Sequence, residues 1–272
     1  MIISNLKGGV GNQMFQIAAG YALAKRSNNQ FAINYNLRHV AMTGKPPVHY
    51  RESLYIDIPF TQHVPQNVYN EIQEAKYNPI TPADDLFLDG YFQSGKYFSD
   101  CKEEIKSLFK FPNEMATKMR DAVYKLSGSS SMNVVGMHVR RGDYTTIPTV
   151  LPPQDPSYYR TCLNQLDFNR DIVLVITDSP DYVISTFAEE FEKGYFVLSN
   201  AKSDLEDLCL LSSCHDIIMS NSSFSWWGTF LGRKKNFICA PSYWFGPEGP
   251  KEWQDIYAVS YTHLTLPTIY SV

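Results

Sequence analysis

The segment GMHVRRGDY, residues 136–144, joins an apolar run to two adjacent arginines. This run, from Val134 to Val139, is mostly apolar, which is typical of a strand that is buried on both faces of a parallel sheet. Arg140 and Arg141 follow at its carboxyl end, which is the edge where open parallel sheets bind ligands. The segment therefore predicts an α/β sheet with an anion-binding site at one edge.

The chain from residue 133 to residue 241 repeats this theme. Short apolar segments alternate with segments of helical period: strands are predicted at 133–139, 171–177, 195–199, 216–220 and 236–241, and helices at 156–166, 181–191, 204–214 and 223–232. Such alternation predicts a parallel sheet that is covered by helices on both faces.

The earlier part of the chain opens with a strand, a glycine turn and a helix. Residues 36–82 show no clear period, which indicates loops with short elements, a common place for an acceptor site. The segment SGSSSMN, residues 127–133, has the composition of a linker. We therefore predict a first domain at 1–130 and a second at 131–257.

Composition limits the class of protein. The net charge of −4 over 272 residues argues against nucleic acid as a partner, because binding to phosphate backbones needs a basic face. The five cysteines are scattered and form no CxxC pair, so we expect reduced thiols. The sequence shows neither a signal peptide nor a transmembrane segment, and we expect a cytoplasmic protein.

Polar side chains gather at the predicted strand ends. His138 and Arg140 share one face of their strand and Arg141 points to the other, while Asp178 ends the next strand. A later helix begins with hydroxyl and amide side chains, Asn221, Ser222 and Ser223. A guanidinium, a carboxylate and a helix N-terminus together suit a nucleoside diphosphate, with arginine and helix on the phosphates and aspartate on the base or ribose.

Each of these residues also has a structural interpretation. Ser222 and Ser223 are good helix N-caps, and Asp178 could cap the helix that follows it. The two arginines could form an ion-pair cluster with Asp143. Their joint placement at strand ends favours ligand binding.

The glycine loop GGVGNQ, residues 8–13, fits neither common nucleotide motif. It lacks the Lys-Ser/Thr pair of a P-loop, and the second strand carries Asn34 and Asn36 where a dinucleotide fold needs an acidic residue. Its glycines, Gly11 among them, permit close backbone approach, and Asn12 presents an amide there.

Metal-binding patterns are absent from the sequence. No two aspartates are separated by one residue, there is no HExxH motif, and the six histidines do not cluster. We therefore expect no metal and no cofactor, with arginine neutralising a departing diphosphate.

Five segments carry a resemblance to a known family: GGVGNQMFQIAAGYALA, GYFQSGKYF, GMHVRRGDY, ITDSPDYV and NSSFSWWGTFLG. In this order, over residues 8–232, they resemble the alpha-1,2-fucosyltransferase family (glycosyltransferase family 11-like), within the wider group that includes the alpha-1,6- and protein O-fucosyltransferases. The resemblance implies a GT-B-like fold of two Rossmann-type domains with parallel sheets facing a cleft. The first domain would take the acceptor and the second GDP-fucose.

The activity that the resemblance implies is that of a galactoside alpha-1,2-fucosyltransferase. Such an enzyme transfers L-fucose from GDP-β-L-fucose, with inversion and without metal, to O2 of a terminal β-galactoside of a glycan. The rival hypotheses are a GDP-sugar-binding protein without turnover and a fucosyltransferase with another acceptor linkage.

The resemblance also implies roles for single residues. Arg140 matches the arginine on the donor phosphates, His138 a residue beside the nucleotide, and Asp178 the aspartate near the guanine. The phosphate-binding serine segment is matched by Ser222, Ser223 and Phe224.

Catalytic roles follow in part from the same resemblance. Asn12 matches the amide that faces the transfer site in protein O-fucosyltransferases. Those enzymes have arginine at the second motif position, where this chain has Gly9. Arg140 and Arg141 are then the main cationic groups, and Asp143 is the candidate base, with orientation of the arginines as its alternative role.

The end of the chain departs from the family pattern. KEWQDIY, residues 251–257, fits the family's ending, but AVSYTHLTLPTIYSV, residues 258–272, does not. We expect 258–272 to be a translated vector or adapter tail, with a divergent natural ending as the alternative.

Overall fold

A computed structural model describes residues 1–34, 44–128, 132–233, 235–257 and 264–265. The chain divides into two compact units. One comprises Met1–Phe111 with Pro250–Ser260, and the other Pro112–Gly249 with Tyr261–Val272. Each unit is built on its own parallel sheet.

The first unit has a four-stranded parallel sheet. Its strands are β1 (Ile2–Ser4), β2 (Phe31–Ile33), β3 (Asn67–Asn70) and β4 (Leu86–Asp89), and its helices are α1 (Val10–Arg26) and α2 (Lys102–Leu108). The strand order is β2-β1-β4-β3. Most of α1 is buried, because it packs on β1, on β2 and on the 3₁₀ turn at Gly95–Phe98.

The second unit has a six-stranded parallel sheet, with strand order β10-β9-β8-β5-β6-β7. Its strands are β5 (Asn133–Val139), β6 (Asp171–Thr177), β7 (Phe196–Leu198), β8 (Asp216–Ile218), β9 (Ile238–Cys239) and β10 (Leu264–Thr265). Its helices are α3 (Asn113–Ser127), α4 (Pro156–Leu163), α5 (Pro180–Thr186), α6 (Ala188–Glu192), α7 (Asp204–Ser213) and α8 (Ser223–Leu231).

Strand β5 lies in the interior of this sheet. It pairs with β6 on one side and with β8 on the other, and six of its seven residues are buried. Chain order reverses at β5, since β6 and β7 lie on one side and β8 and β9 on the other. Ligand sites of open α/β sheets form outside the carboxyl ends of the strands at such a reversal.

The division between the units differs from the predicted boundary at residue 130. Helix α3 belongs to the second unit, because it packs on α7 and β5 and buries Met119 and Val123. Lys118 on α3 also pairs with Glu206 on α7 at 2.7 Å. The predicted linker at 127–133 therefore follows α3 inside the second unit, and its residues 129–131 lie outside the described residues.

Residues 250–257, which we assigned to the second domain, cluster with the first unit instead. A carboxylate oxygen of Asp255 accepts the backbone N–H of Tyr77 at 2.9 Å, and the same side chain pairs with Lys96. These contacts tie the segment to the first unit over a long sequence separation, which composition does not reveal.

The expectation of five reduced cysteines was wrong. Cys162 on α4 and Cys239 on β9 form a disulfide, with their Cα atoms 6.2 Å apart. The other cysteines, Cys101, Cys209 and Cys214, are free and buried. The bonded residues are 77 positions apart and meet because α4 packs over the sheet, so sequence spacing gave no sign of the pair.

Within the described residues, none of the helices has the length and apolar character needed to cross a membrane. The predicted cytoplasmic location stays a prediction. Of the predicted tail at 258–272, the described part is β10, which pairs with β9 in parallel; the remainder lies outside the described residues.

Candidate functional site

Arg140 anchors a charged cluster at the carboxyl edge of the second unit's sheet. Its Nη1 lies 2.8 Å from Oδ2 of Asp178, and its Nη2 lies 2.5 Å from Oδ1 of Asp143. The three side chains are each about a quarter to a third exposed, at 31%, 27% and 25% in that order. The structural alternative, an ion-pair cluster, is thus what the structure shows for Arg140, and the cluster is open to solvent.

The backbone after β5 brings the cluster together. The 3₁₀ turn at Gly142–Thr146 places Asp143 three residues beyond Arg140 on the same side. A Cβ atom on Gly142 would lie 2.6 Å from Oδ2 of Asp178, so glycine is needed for the carboxylate to approach. The backbone N–H of Arg141 donates to Oδ1 of Asp178 at 2.9 Å. The carboxylate of Asp178 therefore binds both the side chain of Arg140 and the backbone N–H of Arg141.

The two arginines are placed differently. The guanidinium of Arg141 stacks on the ring of Tyr182 in α5, 3.6 Å from the ring centre. Arg140 instead lies 5.4 Å from the ring centre of Tyr144 and within the carboxylate cluster. Arg140 is thus the better placed of the two to meet a ligand at the ends of β5 and β6.

His138 is a buried and neutral neighbour of the cluster. It is 5% exposed, its Nδ1 lies 3.0 Å from Oγ of Ser220, and its ring lies 5.1 Å from that of Phe224. Burial lowers the pKa of His138 to about 3, and the charge of Arg140 acts in the same direction. A neutral imidazole can pack against a ligand and share a hydrogen bond with it, but it supplies no charge.

The N-terminus of α8 supplies the third part of the predicted site. Ser222 is its N-cap, with Oγ accepting the N–H of Phe224 at 3.3 Å, and Ser223 is the first helical residue. The N-cap interpretation therefore holds for Ser222. The buried amide of Asn221 donates to the carbonyl oxygens of Pro152 and Trp244, which makes it a brace for two loops.

Tyr144 links this helix to the arginine cluster. Its hydroxyl donates to the carbonyl oxygen of Asn221 at 3.1 Å, while its ring faces Arg140. Burial raises the pKa of Tyr144 to about 12, so the hydroxyl stays a donor at neutral pH. The structure thereby brings His138, Arg140, Asp143, Asp178 and the start of α8 to one edge.

Three residues of this edge were missed from the sequence: Tyr144, Tyr182 and Ser220. Tyr144 ends the opening segment, and Ser220 is the second residue after β8 and the neighbour of Asn221, so position alone could have suggested both. Tyr182 lies on a helix face, and its contact with Arg141 depends on how α5 packs.

The remaining predicted residues, Gly11 and Asn12, lie in the first unit, in the first turn of α1. Oδ1 of Asn12 accepts from Nε2 of Gln93 at 2.7 Å. Its neighbour Gln13 has a structural task, since its Nε2 donates to the carbonyl oxygens of Gly8 and Lys45.

Groups of three or more His, Cys, Asp or Glu side chains able to hold a metal ion are absent from the described residues. The expectation of no metal and no cofactor stays a prediction.

A family model named Glycosyl transferase family 11 matches residues 1–265. The chain belongs to glycosyl transferase family 11. The family resemblance of the five segments is thus confirmed, and the protein is a glycosyltransferase of this family.

Curated relatives of this family 11 chain have different named activities. It is 26% identical to the O-antigen biosynthesis glycosyltransferase WbnK of Escherichia coli, over 89% of this chain and 94% of that protein. It is also 26% identical to an alpha-1,2-colitosyltransferase of Escherichia coli, over 91% and 93%. With galactoside alpha-(1,2)-fucosyltransferase 2 of Bos taurus it shares 25% identity, over 84% and 67%.

Solved structures agree on the fold. Fucosyltransferase NodZ from Bradyrhizobium matches with a TM-score of 0.54 at 15% identity, over 85% of this chain and 93% of that chain. POFUT1 in complex with GDP-fucose matches with a TM-score of 0.52 at 10% identity, over 88% and 97%. The two parallel α/β units are those of the GT-B fold, as the resemblance implied.

Proposed function

We propose that this protein is an inverting fucosyltransferase that moves L-fucose from GDP-β-L-fucose to O2 of a terminal β-galactoside. Membership of family 11 and relatives named for alpha-1,2 transfer support the proposal. The observation that carries it is the guanidinium of Arg140, held between two carboxylates at the carboxyl end of the central strand.

The chemistry explains why an arginine belongs at this edge. When the bond between fucose and phosphate breaks, positive charge develops on the sugar and negative charge on the departing diphosphate. A guanidinium that is already in place stabilises that negative charge without reorganisation, and its planar fork can bind two phosphate oxygens. The acceptor oxygen bonds to the anomeric carbon from the opposite face and its proton passes to solvent water, which gives an inverted product and GDP.

The other residues act around Arg140 in this proposal. Asp178 and Asp143 orient the guanidinium, and the ion pair of Asp143 favours that role over the role of base. The neutral His138 lies beside the nucleotide, and the start of α8 offers backbone N–H groups to a phosphate. In the first unit, Asn12 and Gly11 keep the roles that the resemblance implies.

The experiment that tests the proposal measures GDP release from GDP-fucose with and without a β-galactoside. We expect release that depends on the acceptor, together with an alpha-1,2 linkage in the product by NMR. Donor binding without release would identify a GDP-sugar-binding protein, and a different linkage would identify another acceptor position.

Colitosyl transfer is a second candidate, because the colitosyltransferase relative is as similar as the first relative, at 26% identity. Colitose is fucose without its 3-hydroxyl group, so the two GDP-sugars differ by one donor and acceptor of hydrogen bonds. The ratio of kcat/KM for GDP-fucose and GDP-colitose with one acceptor decides between them.

Metal independence is part of the proposal and gives a direct prediction. Turnover should survive excess EDTA, because arginine rather than a divalent ion neutralises the diphosphate. The measurement is initial rate after chelation and buffer exchange, with a metal-dependent glycosyltransferase as the control. Loss of turnover that Mg²⁺ or Mn²⁺ restores would contradict this mechanism.

A further inference from the structure

The hydroxyl of Tyr144 joins the turn that carries Asp143 to the start of α8. It is buried, at 9% exposure of the residue, and it donates to the carbonyl oxygen of Asn221, the residue before the N-cap, at 3.1 Å. Ser222, the N-cap itself, is a second hydrogen-bond partner of the same side chain. A phenol hydroxyl donates one hydrogen bond and can also accept one, so the two bonds are compatible. The hydroxyl is thereby attached to two consecutive residues at one end of the helix.

The ring of Tyr144 lies beside the guanidinium of Arg140. The centre of the ring is 5.4 Å from Cζ of Arg140. The preceding residue, Asp143, pairs with Nη2 of the same guanidinium. Both residues belong to the 3₁₀ turn at Gly142–Thr146, so a shift of Tyr144 also moves the backbone of Asp143. The position of Tyr144 therefore acts on Arg140 through the ring and through the carboxylate that orients the guanidinium.

A departing diphosphate needs the groups at both ends of this link. In the proposed function, the guanidinium of Arg140 and the start of α8 bind the same diphosphate, although they belong to different elements. Stabilisation of developing charge depends on groups that are already in place, and small misplacements are costly. We propose that Tyr144 is a positioning residue, whose hydroxyl holds the start of α8 and the guanidinium of Arg140 in the arrangement that binds one diphosphate; this rests on the proposed function.

A second link attaches the same helix to β5. Nδ1 of His138 lies 3.0 Å from Oγ of Ser220, and the His138 ring lies 5.1 Å from that of Phe224 in α8. This link attaches α8 to the strand, whereas Tyr144 attaches it to the turn that follows the strand. Loss of the Tyr144 hydroxyl should therefore leave α8 in place on the sheet and release only the turn.

A double-mutant cycle of Tyr144→Phe and Arg140→Lys tests the proposal, with GDP affinity measured by calorimetry on the full chain. Tyr144→Phe removes the hydroxyl and keeps the ring beside Arg140. We expect it to lower GDP affinity on the order of tenfold in the wild type, but less than about twofold in Arg140→Lys, which has no planar fork to orient. In the transfer reaction, kcat should fall on the order of tenfold, with KM for the galactoside within about twofold of wild type.

Tyr158→Phe is the matched control. Tyr158, on α4, is also buried, and its hydroxyl also bonds to backbone carbonyl oxygens, those of Met219 at 2.7 Å and Cys239 at 3.2 Å. Its loss should lower the melting temperature and leave GDP affinity within about twofold of wild type.

Three results would overturn the proposal: unchanged GDP affinity of Tyr144→Phe, an equal loss of affinity in both backgrounds, or an equal loss for Tyr158→Phe. If Tyr144→Phe does not fold, Tyr144→Met replaces it in the same cycle, because methionine fills irregular space in a core and has no hydroxyl.

The same measurements separate this inference from the proposed function. If the cycle shows the expected coupling but the wild type transfers no fucose, Tyr144 positions a GDP site and the proposed function fails. If the wild type transfers fucose and the two losses are additive, the function stands and the positioning role fails. If the wild type binds no GDP, both fail.

Discussion

At the scale of single residues, the arginine fork explains the site better than charge does. Arg140 directs two different N–H groups to two different carboxylates, Asp178 and Asp143. A lysine has the same charge but no planar fork, so it cannot hold both carboxylates and a phosphate in a fixed geometry.

Arg140→Lys should therefore lose most of its turnover, and Arg140→Ala should lose on the order of 10²–10³ in kcat, as when one oxyanion donor is removed. The measurement is kcat on folded protein titrated for GDP-binding sites. Arg141→Lys is the control, because the Arg141 guanidinium stacks on Tyr182 outside the carboxylate cluster. If Arg140→Lys keeps near-normal turnover and Arg141→Lys loses it, then Arg141 and not Arg140 is the arginine that stabilises the departing diphosphate.

His138 gives a prediction about stability and pH. Its pKa is lowered from 6.5 to about 3 in the folded chain, so the unfolded chain takes up a proton first as the pH falls. The folded state therefore loses stability from about pH 6.5 down to about pH 3. Between pH 7.5 and pH 5 the loss from this one group is about 2 kcal/mol.

Urea unfolding of wild type and His138→Gln at pH 7.5, 6 and 5 measures this loss. The variant should lack about 2 kcal/mol of the wild-type decline in unfolding free energy. His49→Gln is the control, because His49 is exposed and the substitution leaves the buried surroundings of His138 unchanged. Parallel curves for wild type and His138→Gln would show that His138 is not buried neutral.

At the scale of elements, the strands and helices that position the site follow from local pattern. β5 and β6 have the predicted bounds, because a strand that is buried on both faces is mostly apolar along its length. The strand-end residues Arg140 and Asp178 then follow from parallel topology. The placement of α3 could not be predicted in this way. Its apolar face could pack on any apolar surface, and its packing on α7 depends on tertiary contacts that the local pattern does not contain.

Contacts between elements were equally hidden from the sequence. The hydrogen bond from Gln93 to Asn12 follows a turn after β4 whose backbone N–H groups bond to Glu71, twenty residues before Tyr91. The stacking of Arg141 on Tyr182 depends on the orientation of α5. Pattern thus predicts which residues reach an edge, while packing decides which of them meet.

The disulfide between α4 and β9 gives a prediction at this scale. Protein oxidised and then denatured should show three titratable thiols, and reductant should raise the number to the five cysteines of the sequence. Opening the bond should cost about 2–4 kcal/mol of unfolding free energy, because it closes a long loop of the chain. Thiol titration and thermal melts with and without reductant measure both effects, and five thiols in the oxidised sample would refute the bond.

At the scale of the whole molecule, the family match conflicts with the predicted foreign tail over a short segment of the chain. The match to family 11 runs to residue 265, so residues 258–265 of the predicted tail fall inside it. The described part of the tail, β10, adds two residues to the edge of the sheet beside β9. The site residues at the ends of β5 and β6 and at the start of α8 lie well inside the six-stranded sheet.

Truncation should therefore be tolerated. A chain ending at residue 257 and a chain ending at residue 265 should both fold and bind GDP like the full chain, because β10 stands at the edge of the sheet and the site residues lie at its inner strands. The pair of truncations isolates β10, since only the longer one keeps it. Melting temperature and calorimetric GDP affinity are the measurements. If the shorter chain alone loses several degrees in melting temperature, β10 is a native strand of the sheet and the foreign-tail hypothesis is wrong for residues 258–265.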